Sequence, residues 1–259
     1  MNYRRLAQIE YRRAAAYERK YARQIRTAIR EQAEHFINTG DISNALLPVI
    51  EQMYDEILRD FLTRQYEQLE RDNVTVKRRK HQPIMTKRER FFNQAWNRWI
   101  QEYTITTLLT KVVAIDNTTR EILRAVTAEG TSRGLEFDVI SEAIRDRTSG
   151  RISMRRARTI ARTEVGEAIN AAKTKSSDDW AAETGMEQGK LWIHRGAADP
   201  RDWHQALDDG IPIRKEEHWT VTNPNTSETD YMQYPHDPEA SAGNVINCSC
   251  QVIYTRWQD

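Results

Sequence analysis

Two cysteines, Cys248 and Cys250, are the only sulfhydryls in the chain, and they stand one residue apart in the closing stretch NVINCSCQVIYTRWQD. In an extended strand both side chains would share a face, roughly 6 to 7 Å apart along it. That is wide for the Cβ separation of a relaxed disulfide. Three readings follow: a distorted disulfide, half of a metal site on a bent strand, or two small buried apolar side chains. Zinc takes four ligands, and imidazole is the natural complement to thiolate. His204 and His236 are the candidate partners because both lie in turn-rich surroundings upstream, ahead of His194 and His218. The candidate zinc set is therefore His204, His236, Cys248 and Cys250, although the spacing is not that of paired CxxC knuckles.

The densest polar cluster is DPRDWHQALDDG, with Asp199, Arg201, Asp202, His204, Asp208 and Asp209. A zinc-dependent hydrolase would use His204 as a base with an aspartate to orient it. Asp-Pro and Asp-Asp-Gly are equally turn and loop signals. The chain has no P-loop, no Gly-rich dinucleotide turn and no HExxH, so the sequence gives no support to an NTPase, a dehydrogenase or a metalloprotease. The sequence-level expectation is a protein with no catalytic residues.

Charge is distributed unevenly. Residues 1–162 hold 31 Lys/Arg against 21 Asp/Glu, and residues 163–259 hold 8 against 17, so a front near +10 and a back near −9 give the net +1. The basic candidates for contact with nucleic acid or an acidic partner are Arg4, Arg5, Arg12, Arg13, Arg19 and Arg23, and the run Lys77, Arg78, Arg79 and Lys80. A second basic stretch, RTSGRISMRRARTIAR, reads as readily as a solvated helix surface. No apolar run approaches the roughly 18 residues that span a bilayer, and MNYRRLAQIEYRR lacks the apolar core of a secretory signal. These features predict a cytoplasmic site of synthesis and no membrane partner.

The elements that would position these groups are mostly helical. Tyr17, Tyr21, Ile25, Ile29, Ala33 and Phe36 recur at helical spacing and predict a helix to about residue 39, stopped at Gly40. Val49, Met53, Ile57 and Phe61 predict a second helix, with Pro48 in its first turn. The two read as an antiparallel hairpin. After a predicted linker at about 72–87, a bulky face of Phe91, Phe92, Trp96, Trp99, Ile100 and Tyr103 predicts a third helix to about 115, with core or interface packing favoured over base stacking. Thr118 and Glu121 form a capping box for a further helix ending at Gly130. A short helix follows at about 137–147, then a long one capped by Ser153 and closed at Gly185. Beyond it, GKLWIHR and CQVIYTRW read as strands among Pro-based turns. The predicted fold class is α+β: a basic helical N-terminal region over 1–115 for partner docking, then a second domain over 116–259 with helices at 118–185 and a small α+β unit at 186–259.

Taken in order, RARTIARTEVGEAINAA, Trp192, DPRDWHQALDDG, PHDPEA and NCSC resemble the phage Mu F-like head morphogenesis family of tailed bacteriophages. Ser249 stands between the cysteines, and Asp202 and Trp203 in the cluster, where relatives often carry a basic residue. The resemblance implies a structural minor capsid protein in the virion. It would lie inside the head beside the portal protein, with scaffold, major capsid protein and packaged DNA as further partners, and act in procapsid assembly or genome delivery. It maps a metal reading onto His204, Cys248 and Cys250, with His236 as fourth ligand. The alternatives are a DNA-binding protein ejected with the genome and the zinc-dependent hydrolase.

Overall fold

The computed structural model describes residues 3–73, 87–149, 151–194 and 201–257. Residues 74–86 of the predicted linker, including the Lys77–Lys80 run, and Asp199 lie outside them, as do the side chains of Phe91 and Phe92. The fold is α+β. Five helices come first: α1 (Tyr3–Thr39), α2 (Leu46–Asn73), α3 (Lys87–Ser132), α4 (Phe137–Ser149) and α5 (Arg151–Thr184). Strand β1 (Gln188–Ile193) and the four-residue helix α6 (Asp202–Gln205) follow. Then come β2 (Ile213–Arg214), β3 (Trp219–Thr222), β4 (Thr229–Met232), the short helix α7 (Ala242–Val245) and β5 (Gln251–Arg256). Among the described residues no helix is long and apolar enough to cross a membrane.

The chain forms two compact units, each assembled from separate segments. One comprises Met1–Tyr17, Glu56–Asn97 and Arg162–Asp259; the other comprises Glu18–Asp55 and Arg98–Ala161. In the first unit, β1 is the centre of an antiparallel sheet ordered β2-β1-β5, and β3 pairs with β4 as a separate hairpin. Alternation along β1 divides its side chains between two faces. Leu191 and Ile193 pack with Ile253 against Ala7 of α1. Trp192 points the other way, edge-on to Trp219 with ring centres 5.3 Å apart. Both faces are covered, which is why all six residues of β1 are buried.

Helix α5 covers the open edge of β5. Asn170 Oδ1 accepts the Val252 N–H at 2.9 Å, and Lys173 Nζ donates to the Val252 carbonyl at 3.0 Å. An edge strand that would otherwise leave backbone groups unpaired is thus closed by side chains of a helix. Lys173 is fully buried and ion-paired with Glu10 of α1. Also in this unit, Arg13 Nη2 donates to Asp60 Oδ1 at 2.7 Å across α1 and α2. Trp96 lies edge-on to Tyr66 and its indole N–H donates to Asp179 at 2.8 Å.

The second unit packs Ala33, Phe36, Leu123 and Ile144 into one cluster. Tyr21, Ile25 and Ile29 of the α1 stripe are buried, as are Ile50, Met53 and Tyr54 of α2. Gln32 of α1 donates to the Ser43 carbonyl at 3.1 Å and to Asp116 at 2.7 Å. Trp99 stacks on Tyr103 with ring centres 5.1 Å apart. Gly40 takes a left-handed φ of 77° and donates its N–H to the Phe36 carbonyl, ending α1 where the sequence places the stop.

Two helix starts differ from expectation. The capping box at Thr118 is not used: α3 runs unbroken to Ser132, and Thr118 Oγ1 donates to the Ala114 carbonyl within the helix. Asp, Asn and Thr favour caps, but without Gly or Pro nearby the helix continues through them at a small propensity cost. Ser153 is likewise inside α5, which begins at Arg151, and its side chain is buried rather than capping.

Candidate metal centre

The long helix α5 presents one row of side chains to the loops that carry the cysteines and histidines. Thr163, Gly166, Asn170, Lys173 and Thr174 recur at intervals of three and four, so they share a face. Thr163 Oγ1 accepts the Asn247 N–H at 2.9 Å, and Arg162 donates to the Asn247 side chain at 3.1 Å. Asn170 Nδ2 donates to the Pro235 carbonyl at 2.8 Å, beside His236, and lies 3.4 Å from the Cys250 carbonyl. Thr174 bonds the Tyr254 hydroxyl at 2.8 Å. One helix face therefore holds both the His236 turn and the entry to β5.

Cys248 and Cys250 do not lie in an extended strand. They occupy the turn between α7 and β5, and the chain reverses at Asn247, whose φ is 60°. The bend brings the Cys250 N–H to the Cys248 sulfur at 3.3 Å. Both sulfurs then point toward His204, whose Nδ1 is 3.5 Å from Cys248 Sγ and 3.8 Å from Cys250 Sγ. The three donor atoms lie within 4.8 Å of one another, and all three residues are buried. Arg201 helps to seat this arrangement by donating to the Ile246 carbonyl at 2.6 Å, and the Trp203 indole N–H donates to Asn244 at 2.8 Å. The His204 ring stands edge-on to Trp192 and Trp203.

His236 lies near Cys248, outside the group of three donor atoms that stand within 4.8 Å of one another. It is fully buried, and neither ring nitrogen has a hydrogen-bond partner in the protein. Its backbone sits at φ 64°, a left-handed conformation that is costly for a bulky side chain. Its imidazole is one of the groups that favour the thiolate of Cys248. The Cys248 thiol is held well below its ordinary range, chiefly by the hydrogen bond from Cys250 and then by the two histidines, against the opposing effect of burial. Cys250 is pushed up in turn, because its proton is shared with a neighbour that ionises first. A His near two sulfurs with one easily ionised thiol is the donor chemistry a divalent metal requires.

Zinc bond lengths of about 2.3 Å to sulfur and about 2.0 Å to nitrogen imply tetrahedral edges of about 3.5 Å from S to N. The observed contacts are 3.5 Å, matching that edge, and 3.8 Å, slightly longer. His204, Cys248 and Cys250 thus offer three donor atoms close to the spacing a tetrahedral ion requires. A cysteine beside a histidine is also the pairing of a nucleophile with its base. Here the exposures are 3% for Cys248, 2% for Cys250 and 1% for His204, so no substrate atom can reach the sulfur. His204 Nε2 has no partner, and no carboxylate among the described residues orients that ring as a hydrolase base would need.

The remaining candidates fall elsewhere. The His194 backbone N–H lies 3.3 Å from Asp208 Oδ2, and His218 is exposed on the approach to β3. Arg4, Arg5, Arg12, Arg19 and Arg23 are exposed on α1, with Arg4 3.8 Å from Asp208. Arg13 is half-buried and ion-paired with Asp60. Sequence reasoning missed Thr163, Gly166 and Asn170; their three- and four-residue spacing along one helix face was the available signal.

Residues 120–253, more than half of the chain, match the family described as Phage Mu protein F like protein. The chain belongs to that family, and membership points to a phage head morphogenesis protein. The match takes in α5, His204, His236 and both cysteines. No curated protein and no solved structure is significantly similar to the chain.

Proposed function

We propose that this member of the phage Mu protein F-like family is a structural minor capsid protein of a tailed bacteriophage. In this reading it lies inside the head, associated with the portal, and acts in procapsid assembly or genome delivery without catalysing a reaction. The observation that carries the reading is the family match across residues 120–253. The burial of every Cys and His group at the candidate centre supports the non-catalytic part. The test is to assemble particles with and without the portal protein and to quantify this chain in each. Incorporation that depends on the portal supports the proposal; equal incorporation in both overturns the portal association.

A second reading, contact with packaged DNA, is favoured by α1. In the second unit Arg19, Arg23 and Arg30 are all exposed, and their spacing places them on one helix face. Binding of the full chain to duplex DNA that weakens steeply with salt, and that is reduced when the three are changed to glutamine, supports this contact. Binding unchanged by those substitutions removes it.

A further inference from the structure

We propose that His204, His236, Cys248 and Cys250 together bind one zinc ion in a closed, purely structural site, and that this ion holds the segment from α6 to β5 on helix α5. The inference stands apart from the role in the head and does not depend on it.

Three observations carry it. First, three donor atoms already converge at the edges of a zinc tetrahedron, at 3.5 and 3.8 Å from His204 Nδ1 to the two sulfurs. Second, His236 is wholly buried beside Cys248 with both ring nitrogens lacking a protein partner. A buried imidazole left so is costly, and a metal bond removes that cost at one nitrogen. Third, the approach of His236 is built for. Gly166 leaves the space its ring occupies, since a Cβ there would meet Nε2 at 2.3 Å. The strained backbone at His236 is maintained by its surroundings and not by its own preference.

The local fold explains why a metal is needed. Between β1 and β5 the described chain holds only α6, α7 and the short strands β2, β3 and β4, none longer than four residues. So little regular structure supplies few cooperative backbone bonds, and a cross-link between distant turns replaces them. His204 comes from α6, His236 from a turn after β4 and the two cysteines from the stretch between α7 and β5, so one ion ties three separate places in this segment. Two nitrogens and two sulfurs in tetrahedral array select zinc over the hard, oxygen-seeking cations. With four protein ligands no position stays open for water, which distinguishes this centre from a catalytic zinc site.

The test uses the full chain, stripped by chelator under reducing conditions and then given zinc or cobalt(II). The expected results are one zinc per chain by elemental analysis, and a cobalt spectrum with tetrahedral ligand-field bands and two-thiolate charge transfer. Stripping should lower Tm and open the segment between residues 201 and 250 to protease. His236→Asn should weaken zinc at least about 10-fold, while His218→Asn should leave it unchanged. Should His236→Asn fail to fold, the cobalt spectrum of the unaltered chain decides. Absence of stoichiometric metal, a spectrum with fewer than two sulfur ligands, a Cys248–Cys250 disulfide in the native protein, or full affinity in folded His236→Asn each overturns the proposal.

Discussion

Gly166 on α5 and the imidazole of His236 approach so closely that a Cβ at residue 166 would lie 2.3 Å from Nε2 and 2.5 Å from Cε1. The ring is rigid and buried, and its backbone already has a positive φ, so it has little freedom to give way. Gly166→Ala should therefore destabilise the protein by about 2 kcal/mol, the range for overpacking, despite the better helix propensity of alanine. Urea unfolding measures it; a variant as stable as the parent would show that His236 is not seated on α5.

Asn170 joins the same helix to the turn that carries His236 and to strand β5. It donates to the Pro235 carbonyl and accepts from Val252, both within 2.9 Å. Asn170→Ala leaves a buried N–H and a buried carbonyl unpaired, at roughly 1 to 3 kcal/mol each. The expected loss is about 3 kcal/mol, read by denaturant midpoint. Hydrogen exchange should become faster first at Val252, and no local change there would argue against the assignment.

Lys173 and Glu10 form a buried ion pair that links α5 to α1. Glu10→Gln leaves the ammonium without its counter-charge and should cost about 3 kcal/mol. A double-mutant cycle with Lys173→Met should return a coupling of at least about 1 kcal/mol. Additive losses would mean the pair contributes nothing beyond packing.

Lys190 supplies a pH signature. Burial pushes its ammonium down to about 8, against the opposing pull of Glu216, Asp237 and Glu217. It lies 4.7 Å over the Trp219 ring and donates to the Gln233 carbonyl at 2.8 Å. Below about pH 8 both folded and unfolded states hold the proton, and the penalty for burying the charge is fully present. Between there and the ordinary lysine value of about 10.4, only the unfolded state keeps the proton. Stability from this group therefore rises with pH across that interval. Lys190→Met should flatten the rise between about pH 8 and about pH 9.5. Measurements should stop below about pH 10, because burial also pushes the Tyr234 and Tyr254 phenols up and reverses the trend there. An unchanged slope in Lys190→Met would refute the assignment.

Much of the helical architecture was legible because its apolar positions repeat at helical spacing over long stretches. Tyr21, Ile25 and Ile29 on α1 and Met53, Ile57 and Phe61 on α2 are all buried as that spacing requires. Helix ends marked by glycine were equally plain, at Gly40 and Gly185, where a left-handed φ leaves few alternatives. Ends marked only by Thr118 or Ser153 misled: the Thr118 hydroxyl bonds back within its helix, and the Ser153 hydroxyl is buried inside α5 without a hydrogen-bond partner. At the candidate centre, residue types and order identified His204, Cys248 and Cys250 as a possible group, and the structure places their donor atoms together. What spacing alone hid was the turn at Asn247, which removes the cysteines from the strand geometry assumed for them. The supporting face of Thr163, Gly166 and Asn170 was hidden too, since small and polar residues on a helix carry no mark of the loop they receive.

The place proposed for this chain is inside the phage head, as a minor component. The most direct measurement is quantitative mass spectrometry of purified virions, before and after protease treatment of intact and opened heads. An internal minor protein would be present in far fewer copies than the major capsid protein, protected in intact heads and digested once they are opened. Absence from virions, abundance matching the major capsid protein, or digestion from intact heads would contradict it.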